Sequence, residues 1–171
     1  MKYIGIDPSL TATGVYVIDK TEESNRIVKT TPRLSQWNRL TDIWEQVFNK
    51  LTGSWEIAIE GVAYRGMGNL APYAVQQIIG YKVYEEFNKY VLVVPPTMLK
   101  KFATGKGNAP KDQIVKEVYK RWGFDTNDHN IADAYVLARI CEAYHKGIHD
   151  VGYKLTKPQI EVIEKLDKEK L

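Results

Sequence analysis

Apolar residues alternate with small or polar ones in KYIGID (2–7) and GVYVID (14–19), and PSLTAT between them reads as a tight connection of neighbouring antiparallel strands. NRIVKTTPRL predicts a third strand, ended near Pro32. The period then changes: Trp37, Leu40, Ile43, Trp44, Val47, Phe48 and Leu51 recur at helical spacing and predict an amphipathic helix over residues 36–52. WEIAIEG returns to a strand. After a Gly-rich turn, NLAPYAVQQIIGYKVYEEFNKY reads as a helix and VLVVPP as a buried strand stopped by two prolines. Further helices are predicted near 96–103, 110–122 and 128–146. KPQIEVIEKLDKEKL predicts a charged amphipathic helix that either docks on the body or is solvated. Three strands, helix, strand, helix, strand and then helices specify an α/β domain with a mixed central sheet, its parallel strands joined by crossover helices. We expect one domain over residues 1–147 and a C-terminal charged helical extension over 148–171.

Composition narrows the class. The chain has 171 residues, 44% of them hydrophobic, enough for one sizeable core. No apolar run approaches the roughly 20 residues that cross a bilayer, and the start shows neither a basic leader nor a small-residue cleavage site. The expected compartment is the cytoplasm, and the lone Cys141, unable to form an intramolecular disulfide, fits a reducing one. A net charge of +3 is uninformative by itself, but its distribution is not. Lys100, Lys101, Lys106, Lys111, Lys116, Lys120 and Arg121 lie between Met98 and Arg121, opposed only by Asp112 and Glu117.

Three acids stand at the ends of apolar elements. Side chains alternate across a sheet, so Tyr3, Gly5 and Asp7 share one face, and Ala58 and Glu60 share the same kind of face in EIAIEG. A very small residue precedes each carboxylate on its own face, which predicts room beside both acids. In HNIADAYVLARIC, Asp133 lies on a helical stripe with Leu137, Ile140, Cys141 and Tyr144 and should point towards the sheet. Singly, each has an ordinary explanation: a DPS bend, a solvated strand end, an acid favoured in a helix's first turn. Together, three carboxylates on one side repel unless a cation sits among them. Carboxylate oxygens favour magnesium or manganese.

The chain resembles the RuvC-like Holliday junction resolvases of the RNase H-like nuclease superfamily. GIDPSLTATG is similar to that family's GIDPG...TG start, AIEGV to its IEQVF strand end, ADAYVLA to its ADALALA helix, and KKFATGKGNAPKDQI to its lysine-bearing helix and Gly-x-Gly-x-Ala-x-Lys loop. These matches run in the family's order from Tyr3 to about Tyr144. The resemblance implies an RNase H-like fold and makes Asp7, Glu60 and Asp133 catalytic, metal-binding positions. The family's fourth acidic position falls on Asn130, which can offer a carbonyl oxygen but neither charge nor a general base. His129 is the substitute candidate and Asp128 its neighbour, although Asp128 also suits an N-cap with His129 and Asn130 in the first helical turn. The implied chemistry is phosphodiester hydrolysis by two ions about 4 Å apart, giving 5′-phosphate and 3′-hydroxyl ends. Magnesium is the implied ion, with manganese able to substitute.

The same resemblance puts Lys100 and Lys111 near the scissile phosphate, with Lys101 and Lys106 adding to their field. Lys116 and Lys120 read as a solvated helix face. Where relatives commonly carry an aromatic residue that stacks at the junction, this chain has Ala63, so Tyr64 takes that role by expectation, with Arg65 beside it approaching the DNA backbone. That shift suggests a phage-type member, acting in the cytoplasm of a bacterium or a phage-infected cell. Paired nicks on branched DNA, four-way junctions especially, imply a C2 homodimer packed through AVQQIIGYKVYEEF. A broader branched-DNA nuclease and a non-catalytic junction-binding protein remain as alternatives. An actin-like ATPase, which also begins IGIDP, would need a second lobe with its own phosphate loop.

Overall fold

β1 (Lys2–Asp7) is apolar on both faces and lies at the centre of a five-stranded sheet. It pairs antiparallel with β2 (Ala12–Ile18), which pairs antiparallel with β3 (Ser24–Lys29). On its other edge it pairs parallel with β4 (Trp55–Glu60), which pairs parallel with β5 (Leu92–Val94). The computed structural model describes residues 1–20, 23–49, 51–62 and 70–168. Helix α1 (Gln36–Phe48) joins β3 to β4, and α2 (Ala71–Phe87) joins β4 to β5. Then follow α3 (Pro96–Thr104), α4 (Lys111–Trp122), α5 (His129–Lys146) and α6 (Lys157–Lys168). The mixed sheet with flanking helices is the expected one.

The two faces of the sheet bury different partners. Ile4, Ile6, Val15, Val28, Ile57 and Ile59 form one core with α1 and α2. Tyr3, Tyr16, Ile18, Ala58 and Val94 form the other with α3 to α6. Trp37 does not join the first core although its spacing fits: it is 77% exposed, while Leu40, Ile43, Trp44, Val47 and Phe48 are buried.

Helix α5 lies directly on the centre of the sheet, buried at residues 131–138 and 140–143. A Cβ added at Gly5 would stand 1.9 Å from the Ala134 carbonyl oxygen, and one at Gly14 2.3 Å from the Asn130 carbonyl oxygen. Only glycine admits helix backbone this close to β1 and β2. The room expected beside Asp7 is therefore taken at Gly5 by the α5 backbone, and that helix carries the third acid. Farther along, Tyr135 packs edge-on against Tyr16 at 4.8 Å and flat against Phe124 at 4.7 Å, pinning the rotation of α5.

The C-terminal helix docks rather than standing in solvent. Val162, Ile163 and Leu166 enter the core shared with α3 and α5, and Glu161 pairs with Lys101 at 2.7 Å. Among the described residues, no helix is long and apolar enough to cross a membrane.

Candidate active site

Parallel register builds the first two corners of the site. Gly5 is paired with Ala58 and Ile6 with Ile59, so Asp7 and Glu60 follow side by side at the ends of β1 and β4, on one face. The Gly61 amide donates to the Val94 carbonyl at 2.8 Å, anchoring the end of β4 just past Glu60. Helix α5 supplies the third corner: Asp133, one turn into the helix, is only 6% exposed. Its N-terminus is set by Asp128, whose carboxylate accepts from the Asn130 and Ile131 amides at 2.9 and 3.2 Å. The Asn130 side-chain amide donates to the Ala12 carbonyl at 3.0 Å, fastening the helix start to the start of β2.

These carboxyls interact at close quarters. Burial raises the Asp7 pKa most, the charges of Glu60 and Asp133 add to it, and a hydrogen bond with Glu60 contributes, together pushing Asp7 up to about 9. Asp133 is pushed up to about 7 by burial and then by the Glu60 charge. Glu60 is raised by burial, against the lowering effects of its bond to Asp7 and of Lys111 and Lys100. Lys111 lowers all three, and Lys100 lowers Glu60 and Asp133. The consecutive helices α3 and α4 thus each bring one lysine charge to bear on the acids.

The group holds more negative charge than its low-dielectric surroundings tolerate without protons or a cation. Its donors are hard oxygens, those magnesium and manganese prefer, so the residues fit divalent metal. Among the described residues no three His, Cys, Asp or Glu side chains are drawn together as closely as the ligands of a bound ion are.

The remaining expected residues fall in different places. His129 leans towards α4, its Nε2 3.6 Å from Asp112, and Asp128 is occupied as the helix cap. Asn130, half-buried in the first turn of α5, is tied through its side-chain amide to the Ala12 carbonyl. Lys101 turns away to Glu161, whereas Lys106 is exposed on the turn between α3 and α4. Lys120 pairs with Glu117 at 3.4 Å on the outer face of α4, and Lys116 is exposed there. Tyr64 and Arg65 lie outside the described residues. One contributor had no local sequence signal. Arg39 of α1 donates to the Leu10 carbonyl at 2.7 Å and to Thr30 Oγ1 at 2.9 Å, and the Thr30 hydroxyl donates to the same carbonyl. This brace holds the turn directly after Asp7.

No family model matches the chain. It is 31% identical over 163 residues to the crossover junction endodeoxyribonuclease RuvC of Wolbachia pipientis wMel, a match covering 86% of this chain and 96% of the relative. Against the crossover junction endodeoxyribonuclease RuvC of Synechococcus sp. (strain CC9311) the identity is 27% over 154 residues, covering 81% and 96%. Among solved structures, Thermus thermophilus RuvC in complex with a Holliday junction substrate superimposes with a TM-score of 0.63 at 24% identity, covering 81% of this chain and 90% of that one. The shared fold is RNase H-like.

Proposed function

The chain belongs to the RuvC family of crossover junction endodeoxyribonucleases, and from that premise we propose that it resolves four-way DNA junctions by metal-dependent phosphodiester hydrolysis at the Asp7, Glu60 and Asp133 cluster. The observation that carries this reading is the convergence of three carboxyls from β1, β4 and α5, Asp133 buried and Asp7 and Glu60 half-buried, under the charges of Lys100 and Lys111.

Asp7, central to the cluster, and its partners Glu60 and Asp133 would hold two magnesium or manganese ions, with the Asn130 side-chain oxygen as a fourth donor and His129 as its substitute. Bound there, such ions supply Lewis acidity, activating water and stabilising the leaving 3′ oxygen. The protein's own part is to hold the acids aligned, with burial and mutual repulsion raising their pKa values so that a divalent cation takes the place of protons. Lys100 and Lys111 lower the carboxyl pKa values and present cationic charge to the scissile phosphate. Lys106 extends that field along the backbone, while Lys101 would first have to leave Glu161. Ends bearing 5′-phosphate and 3′-hydroxyl follow from this polarity of cleavage. Tyr64 and Arg65 remain our assignment for contact at the branch point.

Paired nicks require two such sites, and we assign the dimer contact to α2. Tyr73, Tyr81, Tyr84 and Phe87 are each more than 40% exposed along that helix, an aromatic surface suited to a second copy. Residues 1–147 would form the nuclease unit, with 148–171 as a docked extension, in the cytoplasm of a bacterium or phage-infected cell.

Cleavage of an end-labelled synthetic four-way junction, beside a three-way branch and a linear duplex, in magnesium, manganese or chelator, tests the proposal. Metal-dependent paired nicks confined to the four-way junction are expected. Equal nicking of every branched substrate would establish a broader debranching nuclease, and junction binding with no cleavage in either metal would overturn the catalytic reading.

A further inference from the structure

We propose that the ledge formed by Lys29–Thr41, at the acid end of the sheet, is a second DNA-contacting surface on which Trp37 stacks against a base of a junction arm. The inference rests on the reading of the chain as a junction nuclease. Its starting point is an indole in the wrong place for a core: Trp37 is 77% exposed, whereas Trp44 and Trp55 are buried and Trp122 stacks on Phe102. Leu34 beside it is also exposed.

Position and charge identify the occupant. Lys29 at the end of β3 is paired with Ala12, the residue whose carbonyl receives Asn130. From there the chain enters α1, and Arg39 is bonded to the Leu10 carbonyl in the turn after Asp7. Trp37 precedes Arg39 by two residues, about 200° around the helix, so it projects away from that brace into solvent. Chain and side-chain reach put the ledge within roughly 20 Å of Asp7. Lys29, Arg33 and Arg39 supply three cations in this stretch, and no acid occurs before Asp42. Ser35 caps the helix, whose first turn holds no acidic residue, and the amide dipoles there add positive potential. A flat aromatic surface among cations and neutral hydrogen-bonding groups, Gln36 and Asn38, suits a polyanion with stackable bases better than a protein surface.

Trp37→Ala, Trp37→Phe and Arg33→Gln, made in the full chain, test this through junction affinity in chelator at several salt concentrations. Trp37→Ala should weaken binding about tenfold, Trp37→Phe should recover most of it, and Arg33→Gln should reduce the salt slope by about one. Iodide should quench wild-type tryptophan fluorescence in the free protein and lose that access when the junction binds. Unchanged affinity and salt slope in Trp37→Ala would overturn the ledge while leaving the nuclease reading standing. A changed sedimentation coefficient with unchanged junction affinity would overturn it in favour of a protein contact. Wild-type protein that neither binds nor cuts the junction would overturn both.

Discussion

Helix α5 carries two buried carboxylates nine residues apart, and they have opposite surroundings. Glu142 is 4% exposed and Asp133 is 6% exposed. Glu142 accepts from Arg139 at 3.1 Å and from Lys146 at 2.6 Å, and Arg139 also reaches Glu23 at 3.1 Å and the Tyr135 hydroxyl at 2.9 Å. Asp133 has no described salt-bridge partner; the Glu60 charge raises its pKa and its own charge raises that of Asp7, with the charges of Lys111 and Lys100 opposing. Burial is equal, so burial alone does not distinguish them. Where cations are built in, a buried acid belongs to the fold. Where they are left out, protons or a bound cation must supply the missing charge, and such a deficit is the property expected of a metal-holding site.

Exchanging each acid for its amide should expose the difference most sharply. Asp133→Asn should reduce junction nicking by more than the roughly 100-fold that loss of a residue merely orienting a metal ligand costs, yet leave the melting temperature in chelator unchanged or higher. Glu142→Gln should do the reverse, destabilising by about 3–5 kcal/mol because Arg139 and Lys146 lose a buried counter-charge, with cleavage by the protein that remains folded largely retained. Calorimetric melting and nicking assays on the same preparations check both.

Acidity gives the next test. Asp7 at about 9 and Asp133 at about 7 lie above ordinary carboxyl values, so between about pH 4 and pH 9 the folded chain holds protons that the unfolded chain has released. Stability in chelator should therefore be fully present below that window and fall as pH rises through it. Magnesium or manganese should oppose the fall, because cations favour the deprotonated acids. A melting temperature rising across this range without metal would contradict the assigned repulsion. The smallest effects belong to the outer charges: Lys100→Gln and Lys111→Gln should each weaken junction binding and lower its salt slope by about 0.9, whereas Lys120→Gln should leave the slope unchanged.

Much of this contrast was legible in the chain. Alternation placed Asp7 and Glu60 on one face, and helical spacing turned Asp133 inward, because strand and helix periods dictate which side chains share a surface. Spacing could not reveal what Gly5 and Gly14 are for. Small residues beside an acid fit an open site or a close helix equally well, and only three-dimensional packing shows the α5 backbone against them. Trp37 matched the apolar stripe of α1 but lies at its first turn, beyond the edge of the core. The Arg39 brace joins residues 29 apart in the chain, and the Lys101–Glu161 pair joins residues 60 apart. Contacts at such separations leave no periodic trace.

The most direct measurement is strand cleavage of the four-way junction by wild-type protein and by Asp7→Asn in magnesium and in manganese, with junction binding by both measured in chelator. If the acid end of the sheet is the metal-holding nuclease centre, the wild type nicks in a metal-dependent manner and Asp7→Asn binds the junction comparably without cutting it. Comparable nicking by Asp7→Asn would contradict that assignment and move the chemistry elsewhere in the molecule.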